Sequence, residues 1–251
     1  MILDDIVRRT EKRVALLPET FPEPSRNNHA SLITAIRERD GKNAVIAEIK
    51  CASPTRGIIR RSVDMAQMAG VLAGAGCVAL SVLTEPYFFG GTGQDIARVK
   101  SAVDVPVLRK DFIIDERQIA ESRALGADAV LLIAAVLKER LPAFVDMATD
   151  YHLEPLVEVH NAAEAESALD TGAILIGINN RNLATLTIDR STTRILSGTI
   201  RGKGRLIVSE SGMRSADDIR EMRGYCDAFL IGSSIMSEKQ PGKKLEEFVC
   251  A

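Results

Sequence analysis

The chain has 251 residues, 46% of them hydrophobic and 26% charged, enough apolar material for a sizeable core under a solvated surface, which argues against disorder. Its 32 basic and 34 acidic residues give a formal charge of -2, which removes the bulk attraction for polyanions that nucleic-acid binding uses. A local anion site is still compatible with that balance.

At the N-terminus, charge appears from Asp4 onward, so the opening residues lack the unbroken apolar core of a secretory signal. No window offers the ~20 apolar residues of a membrane span. Residues 1–43 are expected to form a helical extension: an amphipathic helix near 2–16, a proline-rich turn at Pro18, Pro22 and Pro24, and a second helix near 31–39 ending before Gly41. Two readings fit this extension, a lid or brace over the site and a helix that closes the bottom of the fold.

From residue 44 onward, short apolar runs bounded by turn residues recur. They are Ala44–Ile49, Cys77–Leu83, Val105–Leu108, Ala129–Ile133, Pro155–Val159, Ile174–Ile178, Arg205–Val208 and Ala228–Ile231. Near-continuous apolarity is the mark of parallel strands covered on both faces, and the spacing of roughly 20 to 33 residues between starts leaves room for a crossover helix. Between the runs lie helix signals: Asp115 before Glu116–Leu125, and Ser215 with Asp218 three residues on, with Gly224 at the stop. Gly126-Ala127-Asp128-Ala129 and Tyr225-Cys226-Asp227-Ala228 look like one helix-to-strand junction used twice. Eight such units predict an α/β fold, a (β/α)8 TIM barrel spanning residues 44–251, about the usual length of ~250 residues for that architecture. A doubly wound open sheet is disfavoured because no G-x-G-x-x-G follows the first run.

In such a barrel, functional side chains come from the carboxyl ends of the strands. The first run ends in Glu48-Ile49-Lys50, whose alternation sends Glu48 and Lys50 to one face as a charge pair. In Leu108-Arg109-Lys110-Asp111, Lys110 shares the parity of Leu108, so only one of the two adjacent cations can face inward. Glu158 lies between Val157 and Val159, where an ionised carboxylate is costly unless a cation meets it. After the last two runs, Ser211-Gly212 and Gly232-Ser233-Ser234 have the composition and position of a phosphate site, each segment weak alone and stronger as a pair. Cys51, Cys77, Cys226 and Cys250 form no CxxC pair, and His29, His152 and His160 show no metal-ligand spacing. Reduced thiols in a cytoplasm, and no metal, are the expectation.

Taken in order, Glu48-Ile49-Lys50-Cys51-Ala52-Ser53-Pro54, Ser81-Val82-Leu83-Thr84-Glu85, Phe89-Gly90-Gly91, Leu108 to Ile113, Leu156-Val157-Glu158-Val159, Gly177 to Leu183 and Ser209-Glu210-Ser211-Gly212 resemble the indole-3-glycerol phosphate synthase family along the whole chain. The resemblance implies ring closure of 1-(2-carboxyphenylamino)-1-deoxyribulose 5-phosphate to indole-3-glycerol phosphate, with loss of carbon dioxide and water, in tryptophan biosynthesis. It implies no cofactor. By position, Lys110 is similar to the family's general acid, Glu158 to a residue of the dehydration step, and Lys50, oriented by Glu48, to a lysine that contacts the substrate and supplies a later proton. The division of roles among them stays open.

Asn179, Arg181, Glu210 and Ser211 are implied to position the sugar chain and the anthranilate part. Ser53, Gly212, Gly232 and Ser233 are implied to hold the phosphate, and Phe89, Phe112 and Leu131 to line the aromatic pocket. Cys51 departs from the basic residue more usual in the family at that position. The implied partner is a phosphorylated small molecule, with no nucleic acid and no membrane. A monomer is expected, and association with other tryptophan-pathway enzymes stays open. A Schiff-base aldolase with Lys110 or Lys50 as nucleophile, a phosphoribosyl isomerase and a non-enzymatic scaffold are the rival readings.

Overall fold

A computed structural model describes residues 2–22, 29–39 and 41–251. Eight parallel strands close into a barrel: β1 (Ala44–Ile49), β2 (Ala79–Leu83), β3 (Val107–Lys110), β4 (Ala129–Ile133), β5 (Glu154–Val159), β6 (Leu175–Asn179), β7 (Leu206–Glu210) and β8 (Ala228–Ile231). Each pairs with its neighbours in sequence, and β1 closes the ring by pairing with β8 (Ala44↔Ala228) as well as with β2 (Ile46↔Ala79). Helices follow the strands around the outside, as expected of a (β/α)8 barrel.

Alternation along each strand divides the core in two. Inward residues, among them Ile46, Leu108, Leu131, Leu156, Leu175, Val208 and Leu230, fill the barrel. Outward residues such as Val45, Leu80, Val130, Val157, Ile176 and Phe229 pack against the helices. This explains the unbroken apolar runs, since both faces of every strand are covered.

Strand bounds differ from expectation mainly at β3 and β7, which run on to Lys110 and Glu210, and at β2, which starts at Ala79. A charged residue ends a strand on paper because its burial looks costly. Here the inward charges meet partners, so the ladder continues through them. The repeated helix-to-strand junction also has a structural meaning. Asp128 accepts the N–H of Val107 at 2.8 Å and Asp227 accepts that of Ile207 at 2.8 Å, so each aspartate ties its own strand to the preceding one. The caps fall where they were expected: Asp115 and Ser215 both form capping boxes, with Gln118 and Asp218 respectively.

The two N-terminal helices go to opposite ends of the barrel. Helix α2 (Leu32–Arg37) closes the amino-terminal end of the strands, with Leu32 and Ile36 fully buried in the inner cluster. Glu154, the first residue of β5, accepts Ser31 Oγ at 2.6 Å and the Ile33 N–H at 2.9 Å, which satisfies a half-buried carboxylate and the start of the helix together. Helix α1 (Ile2–Val14) lies at the carboxyl ends instead, where Arg13 Nη2 sits 2.7 Å from Asp111 Oδ1. Both readings of the extension therefore apply, one to each helix. Of the proline-rich turn, Pro24 lies outside the described residues.

Truncation of Ile36 opens a cavity in a plug that the barrel interior cannot easily refill. Ile36→Ala is expected to cost about 2–5 kcal/mol, read as a lower urea midpoint with unchanged slope. Turnover per folded molecule is expected to stay near normal, because the plug is at the end away from α1.

Candidate active site

The carboxyl ends of the strands and their loops enclose a cavity of about 490 Å³. Every residue expected to act on or bind the substrate lines it: Glu48 and Lys50 from β1 and its end, Ser53 and Phe89 from the next two loops, Lys110 and Phe112 from β3 and beyond, Leu131 from β4, Glu158 from β5, Asn179 and Arg181 from the end of β6 and beyond, Glu210, Ser211 and Gly212 from the end of β7 and beyond, and Gly232 and Ser233 after β8. Strand register brings several of them side by side. Leu83 stands beside Lys110, Glu158 beside Gly177, and Asn179 beside Glu210.

Lys110 is the hub. Its ammonium lies 2.8 Å from Glu158 Oε2 and 3.0 Å from Glu210 Oε2, and all three side chains are nearly withdrawn from solvent. Burial disfavours the charge on Lys110, but Glu158, Glu210 and Glu48 together outweigh it and hold the amine well above the ordinary lysine range. One cation cannot satisfy two buried anions. For Glu158, burial is overcome by Lys110 and by His160, so its carboxyl falls below the usual range. For Glu210, burial and the nearby Glu158 charge prevail over Lys110, and the carboxyl is pushed up to about 7. Its Oε1 is buried without a hydrogen-bond partner among the described residues, as suits a carboxyl that carries a proton for part of the time.

Adjacent parity separates the two cations of β3. Arg109 points outward and is 2% exposed, donating to Thr84 Oγ1, Gln118 O, Ser122 Oγ and Asp111 Oδ2 and pairing with Glu121 at 2.7 Å. It is a structural cation. Its partner Asp111 also receives Arg13 and Thr84 Oγ1, so the residue after Lys110 fastens α1 to the rim.

A second pair sits across the barrel, with Lys50 Nζ 2.6 Å from Glu48 Oε1. Two glycines make room for the carboxylates. A Cβ on Gly232 would lie 2.4 Å from Glu48 Oε1, and one on Gly177 would lie 2.2 Å from Glu210 Oε1. Neither close approach can be read from sequence, where both residues look like ordinary strand-end glycines.

Asn179 orders the next ring of contacts. Its Nδ2 donates to Glu158 Oε1 at 3.1 Å, while its Oδ1 accepts Ser211 Oγ at 3.0 Å and the Arg181 N–H at 3.0 Å. Ser211 and Gly212 both have left-handed backbone, φ 66° and 96°, which is uncommon for a serine and typical of a functional turn. The one-turn helix Ser233–Met236 begins beside them, so its first N–H groups, which lack intrahelical acceptors, lie at the cavity. The apolar wall includes Phe89 and Phe112, with ring centroids 6.3 Å apart. Glu85 positions Phe89, its carboxylate accepting the N–H groups of Tyr87, Phe88 and Phe89.

Some lining residues were not foreseen. Ile2, Leu3 and Ile6 of α1 complete the wall, and Arg56 and Arg214 join Arg181 at the polar side. Burial lowers the Arg181 pKa, and the proximity of Arg56 lowers it further. The amphipathic pattern of α1 was the available signal for the first group, but nothing in it says which surface the apolar face meets. Cys51 does not line the cavity, so the departure noted there leaves the lining intact. Among the described residues no cluster of His, Cys, Asp and Glu could hold a metal ion, and no helix is long and apolar enough to cross a membrane.

Comparison with known proteins shows the family. Residues 3–248 match the family model for indole-3-glycerol phosphate synthase. The chain is 43% identical to the indole-3-glycerol phosphate synthase of Caldanaerobacter subterraneus subsp. tengcongensis, with 99% of this chain and 98% of that one covered. It is 39% identical to the Methanocaldococcus jannaschii protein of the same name, with coverage of 99% and 98%. Among solved structures, the tryptophan synthase alpha chain of Legionella pneumophila superposes with a TM-score of 0.64 at 10% identity, covering 86% of this chain and 94% of that one, a likeness of fold alone. The chain belongs to the indole-3-glycerol phosphate synthase family.

Proposed function

We propose that this chain converts 1-(2-carboxyphenylamino)-1-deoxyribulose 5-phosphate to indole-3-glycerol phosphate, carbon dioxide and water, using the Lys110–Glu158–Glu210 cluster and the Lys50–Glu48 pair. The observation that carries the reading is the meeting of two ammonium groups and three carboxyls in one cavity with a separate apolar wall. The reaction needs that set. Attack of the carboxylate-bearing ring carbon on the ketone turns the carbonyl oxygen into an alkoxide that must be stabilised and protonated. Loss of carbon dioxide then restores the aromatic ring, and the new hydroxyl leaves as water only if an acid protonates it while a base removes a ring proton. One proton is consumed overall, because a carboxylate leaves as a neutral molecule.

Lys110 suits the first step. An amine held above its ordinary range is a weak acid toward a ketone, but it releases its proton to an alkoxide, which is a far stronger base. Charge is thereby offered where it develops in the transition state. Glu158, ionised and 2.8 Å from Lys110, is the base-side partner for dehydration, and Lys50, held by Glu48, is the second acid. Glu210, with one buried oxygen unpartnered, takes part with Asn179, Arg181 and Ser211 in fixing the sugar chain and anthranilate. Ser53, Gly212, Gly232 and Ser233 are the phosphate ligands in this reading, supported by the left-handed turn and the helix start. Phe89, Phe112 and Leu131 form the drier wall for the ring and the departing carboxylate.

The accompanying reading is a monomer in a reducing cytoplasm, working without metal or organic cofactor. It is supported by free cysteines that are far apart and by large exposed apolar residues, such as Leu16, Ile58 and Ile195, that are scattered over different elements. The extension 1–43 and the barrel 44–251 act as one unit, an arrangement supported by the burial of α2 in the barrel core.

The chain has no tryptophan, so indole fluorescence from product can be read without a tryptophan background. Purified protein mixed with the carboxyphenylamino ribulose phosphate is expected to generate that signal, and Lys110→Ala is expected to lose at least ~100-fold in turnover. Near-normal turnover by a folded Lys110→Ala would remove the lysine from the chemistry. A borohydride-trapped adduct on Lys110 or Lys50 would favour the aldolase reading instead. Gly177→Ala provides an independent check. Its methyl must displace the flexible end of Glu210, so turnover is expected to fall about tenfold or more while the thermal midpoint moves little.

A further inference from the structure

His160, one residue beyond the end of β5, touches the cluster from behind. Its Nε2 lies 3.2 Å from Glu158 Oε1, an ion-pair contact without hydrogen-bond geometry, and that oxygen also accepts Asn179 Nδ2 while Lys110 holds the other. Its Nδ1 lies 3.1 Å from Glu164 Oε2, which accepts the His160 backbone N–H at 2.8 Å as well. Glu164 is itself fixed, because Asn161 caps the helix Ala162–Leu169 by accepting the Glu164 N–H and donating to its Oε1. The imidazole is therefore clamped between two carboxylates, an arrangement that favours the imidazolium over either neutral tautomer. Burial opposes this charge, but Glu158 and Glu164 raise the ring to about 10.

The result is a continuous series, Glu164–His160–Glu158–Lys110–Glu210, in which charges alternate as far as Lys110. Glu158 and Glu210 face the same ammonium at 2.8 and 3.0 Å, with hydrogen-bond geometry only at Glu158, so the distances to Lys110 alone separate them little. Further asymmetry comes from the far side, where Glu158 has both the Asn179 amide and the His160 ring at its second oxygen and Glu210 Oε1 has no hydrogen-bond partner among the described residues. Resting on the proposed reaction, we infer that His160 is a positioning residue that makes Glu158 the ionised glutamate and leaves the cluster's exchangeable proton on Glu210. Among the described residues, the other charged groups lining the cavity are Glu48, Lys50, Arg56, Asp111, Arg181 and Arg214. Glu48 lies close enough to act on both Lys110 and Glu210. None of the six forms an ion pair with Glu158 or Glu210.

The test uses full-length protein labelled with glutamate carrying 13C at the side-chain carboxyl, with the signals assigned through Glu158→Gln and Glu210→Gln. Both carboxyls are followed against pH in wild type, His160→Gln and Glu164→Gln. His160→Gln keeps a hydrogen-bond donor and removes the charge. The inference predicts that the Glu158 titration moves up by about one unit or more, tenfold in its equilibrium, and that the Glu210 titration moves down. Glu164→Gln should move both in the same directions by less. In turnover, His160→Gln should lower kcat about tenfold with KM within about twofold and shift the acid limb of the kcat profile to higher pH, while His160→Lys should restore part of kcat. Glu158 and Glu210 titrations unmoved in both variants would overturn the inference, as would a loss confined to KM. The carboxyl titration needs no turnover, so a wild type that makes no indole would count against the proposed reaction and leave this result readable. Should His160→Gln fail to fold, Glu164→Gln alone decides.

Discussion

A lysine ammonium buried between two glutamates at the closed mouth of a barrel is the constraint on which the rest depends. Removing any one of these charges leaves the others uncompensated where they are largely withdrawn from water, a far larger penalty than the net gain from a typical surface ion pair. The barrel tolerates this because each charge has a second function. Lys110 stabilises Glu158, Asn179 fixes its orientation while His160 stands beside it, and Gly177 vacates the volume into which Glu210 folds. The excess of carboxylate over ammonium is a direct consequence of placing two acids on one base, and it is what obliges one glutamate to hold a proton near neutral pH.

Stability and chemistry are divided between the two ends of the barrel. At the amino-terminal end Leu32 and Ile36 plug the interior, and the carboxylates Glu154, Asp128 and Asp227 are engaged in hydrogen bonds to backbone and, for the first two, to Ser31 and Lys100. At the other end the inward positions turn polar within one or two residues. The same alternation that sends Leu108 into the core sends Lys110 to the cavity. Between them Arg109, pointing the opposite way, braces β3 against the following helix and holds Asp111, which in turn holds Arg13 of the N-terminal helix. A lysine that touches the cavity and an arginine that anchors the lid thus follow from one two-residue step.

Much of this could be read from the chain. Near-continuous apolar runs separated by helix-length spacers dictate a parallel barrel, and parity arguments on Glu48, Lys50 and Lys110 need only the period of a strand. Glu158 between two valines announces a buried acid in need of a cation. What escaped has a common physical reason. The plug and the lid are both amphipathic helices, and amphipathicity records that a face is buried without recording against what. Strand ends at Lys110 and Glu210 were placed too early because a charge looks like a stop signal until its partner, 48 residues away for Lys110 and Glu158, is brought alongside. His160 was weighed only as a metal ligand, whereas its meaning lies in the two carboxylates around it, one neighbouring in sequence and one held by a helix cap.

Proton donation by this cluster depends on the charge state of Lys110. The most direct measurement is the side-chain 15N shift of Lys110, assigned by its loss in Lys110→Ala and followed in the unliganded protein from about pH 7 to about pH 11, across the ordinary lysine value of about 10.4. An ammonium signal that persists past that value is what the flanking carboxylates require. A neutral amine appearing at or below it would mean that burial outweighs the glutamates, and the proposed acid would then be absent at the pH where it must act.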